Sequence, residues 1–481
     1  MAKSKTIPKQ GDHNLWAHRE FDSFNVGDPR IKKRLIQVTE DFVAAPQANI
    51  PQASGSWPRT KAAYRFFSNE KVSETEILGA HRRATLERMR PERLILVAQD
   101  TTYLNFTTHP QTAGLGPIGN NRDKTIGLLA HSALALTEDG QPMGLLHVEF
   151  GARDRKQFKS KTRGRNRQPI EEKESYRWLK AYRSTCEAAR EVGEATMVVS
   201  IADREGDIYE LFLEARHQKS VAHLLIRAQH ARRIAESEED PLWQWLGQQP
   251  SAEGKLEIKV AAKAGQKARK ATLSVRFAQV TIKAPVDRAK YQKLTEPLTL
   301  WAIEAREEFP PEGAAPICWR LLTTLETTTL AQALEKVRWY AVRWEIEVFH
   351  KVLKSGCQAE DRQLETAARL RRSLALDMVV AWRILALTKA GRKTPNSPAR
   401  TLFTETECTA LYAFVHKTRN VPDEPPTLGQ VLRWVAGLGG FLGRKSDGNP
   451  GPTVLWRGMS RLADIAKAWE AFNQPELVGN A

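Results

Sequence analysis

The sequence predicts an α/β protein: a mixed sheet core carrying an inserted antiparallel β-subdomain, flanked by helical N- and C-terminal domains. Three observations predict it. Between about residues 76 and 370, β-rich runs alternate with helix-period segments. Within that span, about 229–316 changes pattern again, to antiparallel strands with a basic turn, KAGQKARK. Outside it, residues 1–75 and 371–481 are dominated by apolar residues at helical spacing.

At 481 residues the chain is long enough for two or three domains with sizeable cores. A 41% hydrophobic and 27% charged composition is ordinary for a globular protein, but a net charge of +17 is not. That excess favours a polyanionic partner, nucleic acid before membrane. The four cysteines are far apart and make neither a zinc motif nor a disulfide framework, as expected in a reducing cytoplasm. The N-terminus lacks an apolar signal segment. The longest apolar stretch, Leu374 to Leu387, contains Asp377 and Arg383, and reads as a buried helix rather than a membrane span.

In the N-terminal region, Asp28 followed by Pro29 marks a helix start. Ile31, Leu35, Val38 and Phe42 follow at helical spacing, with Arg30, Lys32, Lys33 and Arg34 crowding the first turns. Such a start suits a DNA groove and a solvated face equally. Pro46 to Thr60, rich in Pro, Ser and Gly, reads as a loop, and AAYRFF (62–67) begins another helix.

From Arg93 the character changes. RLILVAQDTTYLNF, GLLAHSALAL and MGLLHVEF read as three antiparallel strands, the last two joined by the hairpin signal TEDGQP. Residues 151–168 hold eight Lys/Arg and one Asp, a loop that needs an anion to order it. A helix near 171–189 precedes a buried strand ending at Asp203. Asp207 then caps a further helix, and AHLLIRA (222–228) is another strand. KLEIKVAA, ATLSVRFAQVTIKA and LTLWAIEA make up the insertion, and ICWRLLTT (317–324) returns to the core.

A long helix is expected from near Leu330 through YAVRWEIEVFHKVLK (340–354). At about 100° per residue, Tyr340, Arg343, Glu347 and Lys354 fall within roughly 60° of one another, opposite Val342, Phe349, Val352 and Leu353. Taken alone, this stripe is better explained by a solvated, ion-paired face. Asp100, in the first strand, and Asp203, ending the fourth, change its meaning. If those strands are neighbours, two aspartates converge, and the helix can bring Glu347 to them. Three carboxylates without a zinc-type ligand set suit Mg²⁺, with Mn²⁺ as substitute. Two such ions can activate a nucleophile and stabilise the leaving oxygen in phosphodiester chemistry. Glu345 points about 200° away from Glu347 and is excluded. Glu205 reads as solvated, and His350, His131 and His147 as structural.

With these residues in view, the sequence resembles the bacterial cut-and-paste DNA transposases of the insertion-sequence-four family, which have a ribonuclease-H-like DDE core. The family's helix signature of Tyr, two residues, Arg, three residues, Glu, six residues, Lys is met by Tyr340, Arg343, Glu347 and Lys354. QDTTYLNF with Asp100, ADREGDIY with Asp203, GDPRIKKRL, AAYRFF, EEKES and LGGF are similar as well. The resemblance implies that Asp100, Asp203 and Glu347 bind two Mg²⁺ ions. It implies that Tyr340, Arg343 and Lys354 contact phosphates near the cut end, and that Trp319 stacks on a flipped base beside Trp344. It places DNA-end recognition within 1–75, with Arg30, Arg34 and Arg65 as candidates, and dimerisation within 371–481. The partners implied are double-stranded DNA (inverted-repeat ends and target) and a second copy of the chain, with no membrane, in a bacterial cytoplasm. Two alternatives stay open: a nuclease or resolvase of the same fold without strand transfer, and a non-catalytic DNA-binding regulator.

Overall fold

The computed structural model describes residues 15–119, 124–154, 167–252, 254–260 and 269–473. Most of the basic loop 151–168 and most of the turn before Lys270 fall outside the described residues. Contacts divide the chain into two units. One comprises the residues up to Ala84, Thr108–Gly114 and those from Phe349 onward; the other comprises Thr85–Thr107 and Leu115–Val348.

The second unit is built on one ten-stranded sheet. Its strands are β1 (Leu94–Asn105), β2 (Gly116–Pro117), β3 (Ile126–Thr137), β4 (Pro142–Gly151), β5 (Met197–Ala202), β6 (His223–Arg227), β7 (Lys255–Val260), β8 (Arg269–Ile282), β9 (Leu298–Glu307) and β10 (Cys318–Thr323). β1, β3 and β4 form the expected antiparallel trio. β5 and β6 then add in parallel on the other side of β1. The order β4-β3-β1-β5-β6, three antiparallel strands followed by two parallel ones, is the ribonuclease-H-like arrangement. Parallel neighbours need a crossover, and the Tyr176–Val192 and Tyr209–His217 helices supply them. β10 pairs antiparallel with β6 on one side and with β9 on the other, so β9, β8 and β7 extend the same sheet. The insertion is therefore continuous with the core, because β10 belongs to both.

Pleat alternation decides what faces what. Gln99 donates to Ser200 Oγ at 2.8 Å, Thr101 bonds His131 at 2.8 Å, and His131 meets Trp178 of the Tyr176–Val192 helix edge-on at 4.7 Å. Asp100, between Gln99 and Thr101, therefore points to the opposite face. Asp207 does not cap the next helix, whose cap is Ile208. Its carboxylate instead accepts from the Gln229 and His230 amides at 2.7 and 2.9 Å and pairs with Arg232, pinning the loop after β6.

The first unit is helical. Asp28 caps Pro29–Ala44 as expected, accepting from the Arg30 amide at 2.9 Å. The expected loop at 46–60 is shorter than predicted: Ile50–Ser54 is a helical turn held by an Asn49–Gln52 capping box, and the next helix runs Trp57–Ser68. Proline at the first turn misled the reading, since it ends a helix elsewhere but is tolerated at a start. The apolar stretch around Leu374 lies in Ala367–Lys393, and no described helix is long and apolar enough to cross a membrane. In the LGGF stretch, a side chain at Gly439 would put Cβ 1.8 Å from the Val454 carbonyl oxygen. One at Gly458 would lie 1.8 Å from that of Val435, so the Leu428–Leu438 and Pro452–Asn473 helices cross backbone to backbone.

Glu40 yields a test of this packing. Burial, reinforced by the neighbouring Asp41 charge, pushes its carboxyl up to about 7. A folded pKa raised above the unfolded value of about 4.3 favours folding fully at low pH, and the benefit is lost as pH rises through 7. Glu40→Gln is expected to raise Tm strongly at pH 8 and leave it nearly unchanged at pH 4. An equal shift at both values would show that Glu40 does not titrate on folding.

Candidate active site

Asp100 and Asp203 are brought together by register. β1 and β5 run parallel with Ala98 opposite Ile201; Asp100 stands two residues further along β1, and Asp203 two residues further on, just past the end of β5. Asp203 then starts a 3-10 turn, its side chain accepting from the Glu205 amide at 2.9 Å. Burial, reinforced by the Asp100 charge, raises the Asp203 carboxyl above its ordinary value, against the pull of that amide, Arg343 and Arg227.

The helix bearing Glu347 is not the unbroken rod the sequence suggests. A Thr329–Gln332 capping box starts Leu330–Val342, which stops at Arg343. The chain tightens there, with Arg343 N bonding Tyr340 O and Ile346 N bonding Arg343 O, both at 3.1 Å. Trp344–Lys351 continues, and a π-helical turn spans Val352–Gly356. Lys354 therefore leaves the regular phase expected for it. It lies in the first unit, 3.9 Å from Glu360. His350, also in that unit, is buried beside Phe349.

Within the second unit, Tyr340, Arg343 and Glu347 do gather. Arg343 is ion-paired and hydrogen-bonded to Glu347. Burial works to lower the Arg343 guanidinium, but Tyr340, Glu347 and Asp100 together hold it above its ordinary value. Burial raises the Tyr340 phenol, while Arg343 and Arg227 beside it oppose the shift. Trp319, half-buried on β10, meets the Tyr340 ring edge-on at 6.1 Å. Trp344 is exposed. Glu345 turns toward the β3–β4 turn at Gly140, away from the acids.

Among the described residues, no group of three or more His, Cys, Asp or Glu side chains is close enough to hold a metal ion. Glu347 is engaged by Arg343 instead. The donor chemistry nevertheless suits a hard cation: two neighbouring carboxylates, one raised partly by the charge of the other, with a third carboxylate on a guanidinium that both acids can attract.

The N-terminal candidates are spread out. Arg30 is exposed and forked onto Asp28, its own helix cap. Arg34 is half-buried, and Arg65 is exposed in the last turn of Trp57–Ser68.

Two features escaped the sequence reading. Arg227, the last residue of β6, reaches both Asp203 and Tyr340, and only its place at a strand end could have flagged it. Arg153, Glu174 and Arg177 form a cluster with Tyr103 of β1. Burial works to raise the Glu174 carboxyl, but its hydrogen bonds and ion pairs with Arg153 and Arg177 outweigh it and hold it below the ordinary range.

Two stretches of the chain match known families. Residues 13–72 match the family described as transposase DNA-binding, and residues 379–471 match the Tn5 transposase dimerisation domain. Among solved structures, a cryo-electron-microscopy structure of a piggyBac transposase synaptic complex with hairpin DNA aligns over 96% of this chain and 79% of its own, at 7% identity and a TM-score of 0.35. That likeness is too slight to bear on the site. With a transposase DNA-binding match near one end and a Tn5 transposase dimerisation match near the other, the chain resembles the DDE-type transposases, that of Tn5 among them.

Proposed function

We infer that the chain is a DNA transposase that cuts and pastes a mobile element by metal-dependent phosphoryl transfer. The observation that carries this reading is the register of β1 and β5, which sets Asp100 beside Asp203 on a sheet whose next elements supply Arg227, Trp319, Tyr340, Arg343 and Glu347. Asp100 and Asp203 would hold a pair of Mg²⁺ ions together with Glu347. Such ions supply an activated water or 3′-hydroxyl and stabilise the leaving oxygen.

The chain's own residues do the remaining work. Arg343 passes from Glu347 to a DNA phosphate, a change between two carboxylate-like partners that a guanidinium fork accepts readily. Tyr340, held between Arg343 and Arg227, holds one phosphate of the DNA, and Lys354 holds another. Trp319 and Trp344 offer aromatic faces to an unstacked base, an interaction worth about 1–3 kcal/mol per base. Residues 1–75, with Arg30, Arg34 and Arg65, hold the transposon end, and residues 371–481 pair two copies of the chain. The order of events is nicking at the 3′-end, hairpin formation, hairpin opening and joining to target DNA.

The test is incubation of the full chain with the inverted-repeat ends of its own element, a target plasmid and Mg²⁺. Nicks, hairpins and joined products are expected, and all are lost in EDTA. Nicks without joined products would favour the nuclease alternative. Binding indifferent to EDTA with no cleavage would favour the regulator.

A further inference from the structure

EEKES, which resembles the family in sequence, has no place in the reaction outlined above, and its Glu174 is held in an unusual way. Arg153 grips the Glu174 carboxylate with both arms of its fork, Nε at 2.6 Å and Nη2 at 2.8 Å. Arg177 adds Nη2 at 3.0 Å and donates Nε to the Glu174 carbonyl oxygen at 2.6 Å. The Tyr103 hydroxyl accepts from Arg153 Nη2 at 3.0 Å, and the Tyr103 ring lies 5.1 Å from that guanidinium. The two arginine side chains are only 16% and 10% exposed, whereas Glu174 is 55% exposed. Two inward guanidiniums thus present one outward carboxylate to solvent.

That is the geometry in which arginine forks take a phosphodiester, because carboxylate and phosphate offer the same pair of acceptor oxygens. The cluster also lies near the acids. Tyr103 is three residues beyond Asp100 on β1, about 10 Å at the strand rise, and its side chain leaves the opposite face of the strand. The link to the acids therefore runs through Glu205, which interacts with Asp203 and Asp100 and also with Arg177 and Glu174. Arg177 precedes Trp178, which packs on His131 and on the glycine three residues after Asp203.

We propose that Arg153 and Arg177 form a seat for a phosphate of the bound DNA strand beside the acids, and that Glu174 occupies this seat until DNA displaces it. Glu174 is then a placeholder that keeps two half-buried guanidiniums paired and correctly oriented without DNA. Its charge weakens DNA binding while its geometry prepares for it. The inference rests on the reading of the chain as a DNA-processing enzyme.

A merely structural salt bridge and a phosphate seat predict opposite signs. If Glu174 only braces the fold, Glu174→Gln weakens DNA binding or leaves it unchanged, as do the arginine variants. If it holds a phosphate seat, Glu174→Gln tightens binding, roughly fivefold to tenfold at moderate salt, because a repelling charge is removed. Arg153→Ala and Arg177→Ala then loosen it and reduce the salt slope of log K by about one each.

The measurement is fluorescence anisotropy of the full chain on a labelled duplex carrying the inverted-repeat end and its flank, in EDTA, at several salt concentrations. Thermal melting and the charge-preserving Arg153→Lys check that each variant is folded. Tighter binding by Glu174→Gln with shallower slopes for the arginine variants supports the seat. Weaker or unchanged binding by Glu174→Gln overturns it, as do unchanged slopes. Wild-type nicking with Mg²⁺ is scored separately. Tightening by Glu174→Gln in a protein that never nicks would keep the seat and sink the transposase reading. Nicking without the tightening would do the reverse, and a wild type that binds no DNA would end both.

Discussion

Asp100→Ala and Glu347→Ala are expected to abolish nicking of the transposon end while leaving end binding near wild type. Each removes one of three carboxylates that would hold the metal ions, and loss of metal-borne stabilisation at a phosphoryl centre is worth several kcal/mol. A fall of at least about 10³-fold in nicking rate, about 4 kcal/mol on the barrier, is the expected scale. Glu347 needs a finer test, because it also pairs with Arg343. Glu347→Gln keeps a hydrogen-bond acceptor for that guanidinium and removes the carboxylate. If Glu347 serves the metal ions, Gln is as inactive as Ala. If its task is to hold Arg343, Gln restores much of the activity. Nicking that persisted in Mg²⁺ with Asp100→Ala would remove that residue from the site, and so would a binding defect as large as the loss of cleavage.

Asp377→Ala is expected to have the largest effect on stability, about 3–5 kcal/mol. Asp377 and Arg362 are a buried ion pair, with carboxylate and guanidinium 2.7 Å apart and side chains 1% and 2% exposed. Arg362 also donates to the Ala48 carbonyl oxygen at 2.7 Å and lies 4.2 Å from the Phe42 ring, so one guanidinium ties the Pro29–Ala44 and Ala367–Lys393 helices to the turn at Ala48. Removing the carboxylate strands a positive charge where water cannot reach it, and that desolvation cost dominates the loss. Asp377→Asn, which keeps an acceptor, is expected to fall between wild type and Ala. Chemical denaturation monitored by tryptophan fluorescence measures all three proteins. A shift for Ala below about 1 kcal/mol would mean that the helices relax to let water in.

The core strands were legible because they are long, apolar and bounded by turn residues. Asp100 was legible because an acid in such a run has few structural uses. Three readings failed for a shared reason, that local pattern does not report where hydrogen bonds go. Asp207 has the spacing of a helix cap, yet its carboxylate is drawn to two amides and an arginine beyond β6. Trp57 and Pro58 sit among loop-forming residues, yet they open a helix. The uniform helical phase assumed through Tyr340–Lys354 is interrupted at Arg343 and again by a π-helical turn.

By itself the sequence determined the strand and helix order of the core, the basic character of the chain and the spacing of Tyr340, Arg343, Glu347 and Lys354, because these are set by residue type and local periodicity; the Leu242–Gln248 and Val286–Gln292 helices of the insertion it did not show. Only the tertiary structure decided that β10 joins the insertion to the core sheet. Only it set the β1–β5 register that makes neighbours of Asp100 and Asp203, and the pairings of Arg343 with Glu347 and of Arg153 and Arg177 with Glu174. Strand register and long-range ion pairs depend on which distant segments meet, and a carboxylate takes whichever donors the fold brings to it.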